Sequence, residues 1–298
     1  MIVAIGSVAL DTTRTPFRVV KDVLGGSATY FCLAASLFSE TGMVGVVGSD
    51  FPEEYTRLLR DRVDLTGLRV EAGGKTFRFD ASFDYDLGRR RTNRTELNVY
   101  EDFTPVLPEE YRRAEFVYLG NIDPEQQLRV LDQMERPRLT LSDTIEFWIK
   151  TKREKLLEVI SRVDGFVLND DEVRLLCMTP NIVLGANTIL DWGAGFVVVK
   201  RGEHGAVLFT KNRIFPSPGF LLTEVVDPTG AGDSFAGGLL GHLARKGSLS
   251  EKAMKEAVVY GNVMGSFAVE RFGPERLATL TMGEIEERYK RHCRMVAL

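Results

Sequence analysis

Cysteine is scarce and scattered. Three residues, Cys32, Cys177 and Cys293, stand far apart in a chain of 298. No CxxC pair and no Cys/His cluster is present, so neither a disulfide framework nor a structural zinc site is suggested, and a reducing cytoplasm is the expected compartment. The three histidines, His204, His242 and His292, have no spaced partners and read as structural or surface residues. An excess of one charge is also lacking: 38 lysines and arginines face 42 aspartates and glutamates, a net charge of −4. No global field therefore recruits nucleic acid or an anionic membrane, and neither partner is expected. No apolar run reaches membrane-spanning length, and "MIVAIGSVALD" has no basic n-region of a signal peptide. Internal repeats and low-complexity linkers are missing too.

What is present is a balanced composition, 44% apolar and 27% charged. It suits a soluble α/β domain, alone or with an appendage. "MIVAIGSVA" reads as a buried strand, "GGSATYFCLAASLF" as a glycine turn entering a small-residue helix, and "TGMVGVVGSD" as the next strand. A helix follows from Pro52 to about Arg62. Strand and helix alternate, which predicts a parallel sheet covered by helices. Residues 74–101 break the rhythm. "KTFRFDASFDYD" and "RTELNVYEDF" alternate apolar and polar residues around "LGRRRTN", a hairpin with one wet face. Arg89, Arg90, Arg91 and Arg94 are expected at its solvated tip, and "TPFRVVKDVLG" has a strand-like pattern that could join it. Beyond residue 103 the α/β rhythm returns, through "AEFVYLGNI", "RLTLSDT", "GFVLND", "FVVVKRG" and "HGAVLFT", and two helices finish the chain.

The segment "VVDPTGAGDSFAGGLLGHLA" holds the densest signal. A helix start exposes unpaired N–H groups at the positive end of the dipole, and glycines let that backbone approach a ligand. Gly230, Ala231 and Gly232 thus offer donors to an anion, and Asp233 stands beside them with a carboxylate expected to keep a low pKa. Asp233 and Ser234 could equally be helix caps after a turn. The strand-like "EVVD" ahead of the turn favours a ligand site, because open α/β sheets bind ligands beyond their strand ends.

"DPTGAGDSFAGGLL" closely resembles the C-terminal signature of the ribokinase-like carbohydrate kinases, the phosphofructokinase-B type family. "GSVALD", "LGGSATYF", "NDDE" and "VVVKRGEHGAVLF" resemble further family motifs, in the family's order and over nearly the whole chain. No GxxxxGK[ST] loop is present, which sets aside a Walker-type kinase. The resemblance implies a three-layer α/β/α domain with a mostly parallel central sheet (residues 1–11, 26–72 and 103–298) and a small β-sheet lid (12–25 and 73–102). It implies an ATP-dependent kinase acting on a hydroxyl of a sugar or sugar-like molecule. Asp233 would be the base, and Gly230, Ala231 and Gly232 the anion hole. Asp11, Gly25, Gly26, Tyr30 and Asn121 would meet the acceptor. Thr229, Lys200, Gly202 and Gly205 would line the ATP side. Asn169 and Glu172 would hold Mg²⁺ through water, and Asp227, near Gly273, a monovalent cation such as K⁺.

One position departs from the family. Many members place an asparagine after the diglycine and three further residues, where this chain has Tyr30. That favours an inositol-like polyol or a nucleoside whose base stacks on an aromatic ring, with Phe17, Phe31 and Asp143 as further residues that shape the pocket. A nucleoside kinase and a non-catalytic ligand-binding regulator stand as alternatives. A lone flap with an apolar face predicts a homodimer through the lid.

Overall fold

Short, fully apolar strands are stable only when both faces of their sheet are covered. In the structure, a computed structural model that describes residues 1–88 and 90–297, such strands form the centre. The strands are β1 (Ile2–Ile5), β2 (Ala9–Arg14), β3 (Val19–Gly25), β4 (Thr41–Gly48), β5 (Asp64–Glu71), β6 (Phe77–Phe83) and β7 (Arg90–Glu96). They continue as β8 (Phe116–Leu119), β9 (Leu139–Asp143), β10 (Gly165–Asn169), β11 (Phe196–Lys200), β12 (Ala206–Thr210) and β13 (Arg213–Ser217). Nine of them make one sheet in the order β13-β12-β11-β10-β9-β8-β1-β4-β5. Its pairings are parallel from β5 to β11 and antiparallel among β11, β12 and β13.

Side chains alternate across this sheet and divide the core in two. Ile2, Ala4, Val167 and Val198 face one cluster, covered by the helices Ser27–Ala35, Ala231–Lys246 and Glu251–Ala268. Val3, Ile5, Phe166, Leu168, Val197 and Val199 face the other, covered by Pro124–Gln133, Arg153–Ile160, Asp170–Cys177 and Ile182–Asp191. The result is the expected α/β/α layering. Small residues set the helix spacing. A Cβ on Gly237 would stand 2.6 Å from the Phe31 carbonyl oxygen, and one on Gly238 2.8 Å from that of Tyr260.

The lid is a four-stranded sheet, β3-β2-β6-β7. Its first strand starts at Ala9, three residues before the boundary expected at 12, so Asp11 belongs to a lid strand. Register fixes the two faces. Asp11 pairs with Phe79, Thr13 with Ala81, and Phe83 with Arg90. These side chains share the face that looks onto the main sheet's strand ends. The outer face carries ion pairs, Arg14 with Asp80 at 2.8 Å and Arg78 with Asp50 at 3.2 Å. Phe79, Ala81 and Phe83 thus lie on the inner face, while Phe17, Val19 and Tyr85 of the lid are exposed.

The arginine run is also placed differently from the expectation. The β6–β7 connection lies before residue 90, and Arg90, Arg91 and Arg94 are strand residues. Arg89 lies outside the described residues. Among the described residues, no single helix is long and apolar enough to cross a membrane.

Candidate active site

The strands β1, β8, β9, β10 and β11 all end on one edge, and the loop before helix Ala231–Lys246 meets them there. Asp227 makes that loop. Its Oδ1 accepts from the Thr229 amide at 2.9 Å and its Oδ2 from the Gly273 amide at 3.4 Å. Gly230 then takes a left-handed φ of 75°, and a Cβ on it would lie 2.2 Å from the Tyr30 ring. Only glycine satisfies both conditions. The helix has no side-chain cap. Ser234 bonds back to the Gly230 carbonyl through its amide at 2.9 Å and its hydroxyl at 2.8 Å, so neither it nor Asp233 caps the helix. The expected anion hole needs one correction. The Ala231 amide turns to the Pro228 carbonyl at 3.3 Å, because the turn closes there. The amides of Gly232 and Asp233 have no acceptor among the described residues.

Asp233 does not keep the low pKa expected at a helix start. Burial first, and then the Asp143 carboxylate, push it up to about 6, while Lys200, the Tyr118 hydroxyl and Arg90 oppose the rise. Desolvation outweighs the helix dipole here. The Tyr118 hydroxyl donates to Asp233 Oδ1 at 3.1 Å, and Lys200 Nζ donates to Asp143 Oδ2 at 2.8 Å. Lys200 was expected on the nucleotide wall. Its side chain is instead largely buried against Asp143, and a Cβ on Gly232 would come within 2.9 Å of its Nζ. The lysine packs on the anion loop itself.

Asn169 and Glu172 form a reciprocal capping box at 2.8 Å in both directions, so the capping reading of this pair holds. Glu172 does more than cap. Burial, and then Asp143, raise its carboxyl to about 7, partly offset by Lys200. One of its oxygens accepts from the Asn169 amide, and the other has no partner among the described residues.

Asp11 is buried, with 6% exposure, which excludes an exposed loop carboxylate. It rises to about 7 through burial first and Asp227 second, with Arg90 and the Gly26 amide opposing. Its Oδ1 is buried and has no hydrogen-bond partner among the described residues. The diglycine makes room for it: a Cβ on Gly25 would overlap the Asp11 carboxylate at 1.9 Å. Gly26, at φ 98°, begins the helix Ser27–Ala35. Tyr30 is 2% exposed and its ring is covered by Gly230, so no nucleobase stacks on it. Burial, and then Asp227, Asp11 and Asp233, push its hydroxyl well above the usual tyrosine range.

The remaining residues separate. Asn121 follows β8 at the same edge, where the Gly120 amide bonds the Ile5 carbonyl. Gly202 is exposed after β11. Gly205 is buried under Ser217, whose carbonyl oxygen would lie 2.2 Å from a Cβ, so it serves the β11–β12 turn. Phe31 is a core residue stacked on Tyr118, and Phe17 is 68% exposed beside Tyr85. Sequence reasoning missed Tyr118, whereas Arg90 is exposed as expected. Arg90 reaches over the Phe79 ring at 5.3 Å, and its charge acts on Asp11, Glu172 and Asp233. The pairing of Phe83 with Arg90 is the pattern that could have found this reach.

Residues 1–279 match the pfkB family carbohydrate kinases. The chain is 31% identical over 256 residues to the cytidine kinase of Thermococcus kodakarensis, covering 84% of this chain and 91% of that protein. Its fold is similar to the nucleoside kinase of Methanocaldococcus jannaschii, with a TM-score of 0.78, 22% identity and 98% of each chain covered. It is also similar to a putative ribokinase II from E. coli in complex with ATP and Mg²⁺, with a TM-score of 0.80, 22% identity and coverage of 98% and 99%. The chain belongs to the pfkB family of carbohydrate kinases, ATP-dependent phosphotransferases that act on hydroxyl groups.

Proposed function

We propose that this pfkB-family kinase phosphorylates a hydroxyl of a small sugar-bearing molecule, and that a nucleoside held by its ribose is the acceptor. Asp11 carries the proposal. A buried carboxylate with an oxygen unpartnered among the described residues, within reach of the Asp233 charge, needs hydroxyl donors, and a vicinal diol supplies two. The preference for a nucleoside draws on the likeness to the cytidine kinase and on the inward lid face of Phe79, Ala81 and Phe83, which suits a flat base better than a bare sugar. A free sugar or an inositol-like polyol is the second reading, favoured by the absence of a stacking face on Tyr30.

In this reading Asp233 Oδ2 takes the acceptor's hydroxyl proton as that oxygen attacks the γ-phosphorus of ATP and the bond to ADP breaks. The amides of Gly232 and Asp233, with Gly230 flanking and Ala231 leaving space, face the phosphoryl oxygens where charge develops. Lys200 adds a positive charge at the same loop. Gly25, Gly26 and Asn121 border the acceptor; Thr229 and Gly202 lie on the nucleotide side. The Glu172 carboxylate, one oxygen unpartnered among the described residues in an acidic surround, fits a hydrated Mg²⁺, with Asn169 fixing its orientation; the ion would neutralise phosphate charge. Both Asp227 oxygens are committed to loop amides, so K⁺ fits there only through backbone carbonyls.

The test is ADP release with Mg²⁺ and ATP against nucleosides, sugars and inositols, for the native protein and Asp233→Asn. Turnover on nucleosides, lost in the variant while acceptor binding persists, is the expected result. Turnover only on free sugars overturns the acceptor assignment. A variant that turns over normally removes Asp233 as base.

A further inference from the structure

Asp143 ends β9 and collects donors. Its Oδ2 accepts from Lys200 Nζ at 2.8 Å and its Oδ1 from the Thr144 amide at 2.7 Å. The Tyr118 hydroxyl stands between this carboxylate and Asp233, 3.5 Å from Asp143 Oδ2 and 3.1 Å from Asp233 Oδ1. One hydroxyl proton serves one acceptor. The shorter distance, and the ammonium already on Asp143 Oδ2, give that proton to Asp233. The hydroxyl oxygen cannot move aside. The Tyr118 ring is fully buried and stacked flat on Phe31, with centroids 3.9 Å apart and planes 3° from parallel.

We propose that Tyr118 is a positioning residue for phosphoryl transfer: by holding Oδ1 of Asp233 it presents Oδ2 to the acceptor hydroxyl, and the Lys200–Asp143 pair reserves the tyrosine proton for that bond. The inference rests on Asp233 being the base. An unrestrained carboxylate would rotate and offer either oxygen at a poorer angle, and proton transfer is sensitive to such misplacement. The charged and titratable groups that face Asp233 are Asp143 and Lys200 from the ends of β9 and β11, Tyr118 from β8, Tyr30 from helix Ser27–Ala35, Asp11 from β2 and Arg90 from β7. The tyrosine bond lowers the proton affinity of Asp233 and the Asp143 charge raises it. Removing each therefore moves the base in opposite directions.

Tyr118→Phe keeps the stack on Phe31 and deletes only the hydroxyl. On the best acceptor it is expected to lower kcat by roughly tenfold or more, the loss of one hydrogen bond to a charged group, with acceptor KM unchanged. The acid limb of the rate profile should move to higher pH. Asp143→Asn should move it to lower pH. Asp11 and Glu172 titrate in the same range, but neither touches Tyr118, so only the Asp233 component shifts in Tyr118→Phe. A wild-type kcat and an unmoved limb in Tyr118→Phe overturn the inference. If that variant does not fold, a limb that rises or stays in place in Asp143→Asn overturns it. Asp233→Asn run alongside separates the two levels. If it keeps turnover, the assignment of the base has failed; if it is silent while Tyr118→Phe behaves as wild type, only the positioning role has failed.

Discussion

Asp11→Asn should make the unliganded protein more stable at high pH while weakening acceptor binding. The Asp11 carboxyl rises from 3.8 to about 7 in the fold, burial being the main cause. A carboxyl with a raised folded pKa stabilises the fold only below its unfolded pKa, and that contribution is lost as pH rises through the folded value. The window here runs from about 4 to 7. Between pH 5 and pH 8 the ionisation penalty grows by about two pKa units, or about 2.5 kcal/mol at ~1.36 kcal/mol per unit, as an upper bound. Asparagine has the same shape and cannot ionise. Any fixed cost of the amide cancels when the two pH values are compared. The assay is urea unfolding of both proteins, without ligand, at pH 5 and pH 8. The stability gap in favour of Asp11→Asn should widen by about 1–2.5 kcal/mol at pH 8. A gap that stays constant or narrows would refute the claim that Asp11 is held in the fold against its preference for water.

Arg90→Gln should raise the proton affinities of Asp11, Glu172 and Asp233 together, because Arg90 lowers all three. The acid limb of kcat/KM should move to higher pH with little change in melting temperature; an unmoved limb would mean that the exposed Arg90 charge does not act on these carboxyls. Gly230→Ala places a methyl 2.2 Å from the Tyr30 ring at a φ of 75°. It should cost at least about 1–2 kcal/mol of stability from the backbone alone, and lower kcat more than hundredfold as the loop shifts, by roughly the loss of an anion-hole donor. Thermal melting and steady-state kinetics check both, and a wild-type melting temperature would contradict the geometry.

The alternation of strands and helices, the lid hairpin and the glycine-rich turn were legible because each has a local signature. β1 is unbroken apolar sequence, β6 alternates, and Gly230 stands where no larger residue fits. Other features were hidden because they depend on distant parts of the chain. β5 carries polar residues at a sheet edge, so its pattern is weak. The proton affinity of Asp233 was misjudged because helix position is local, whereas the burial and the Asp143 charge that prevail come from the fold. Lys200 follows a strand and resembles a nucleotide contact in sequence; only the approach of β11 to β9 brings it to Asp143. Tyr118 looks like one more apolar residue in "FVYL", and its hydroxyl gains meaning only beside two carboxylates 25 and 115 residues away. Arg90, Arg91 and Arg94 were rightly expected in solvent, but they lie in a strand and not at the hairpin tip.

The acidic groups at this edge outnumber the cations that serve them. Among the described residues Asp11, Asp143, Glu172, Asp227 and Asp233 are answered by Lys200 and Arg90, and three of the carboxyls rise to about 6 or 7 through burial first and a neighbouring carboxylate second. A site so poised takes up its ligands by exchanging protons for them. An acceptor diol that donates to Asp11 favours the ionised carboxylate and returns its pKa toward the ordinary range. Binding near pH 6.5 should therefore release a fraction of a proton, falling toward zero at pH 8.5, where Asp11 is already ionised. Calorimetric titration of the acceptor, without nucleotide, in two buffers of different ionisation enthalpy measures that proton directly. The apparent binding enthalpies should differ at pH 6.5 and converge at pH 8.5, and the difference should vanish in Asp11→Asn at an acceptor concentration that still binds. Equal enthalpies in both buffers at pH 6.5 would mean that the acceptor's hydroxyls do not reach the unpartnered oxygen, and the acceptor would then have to lie elsewhere along the lid.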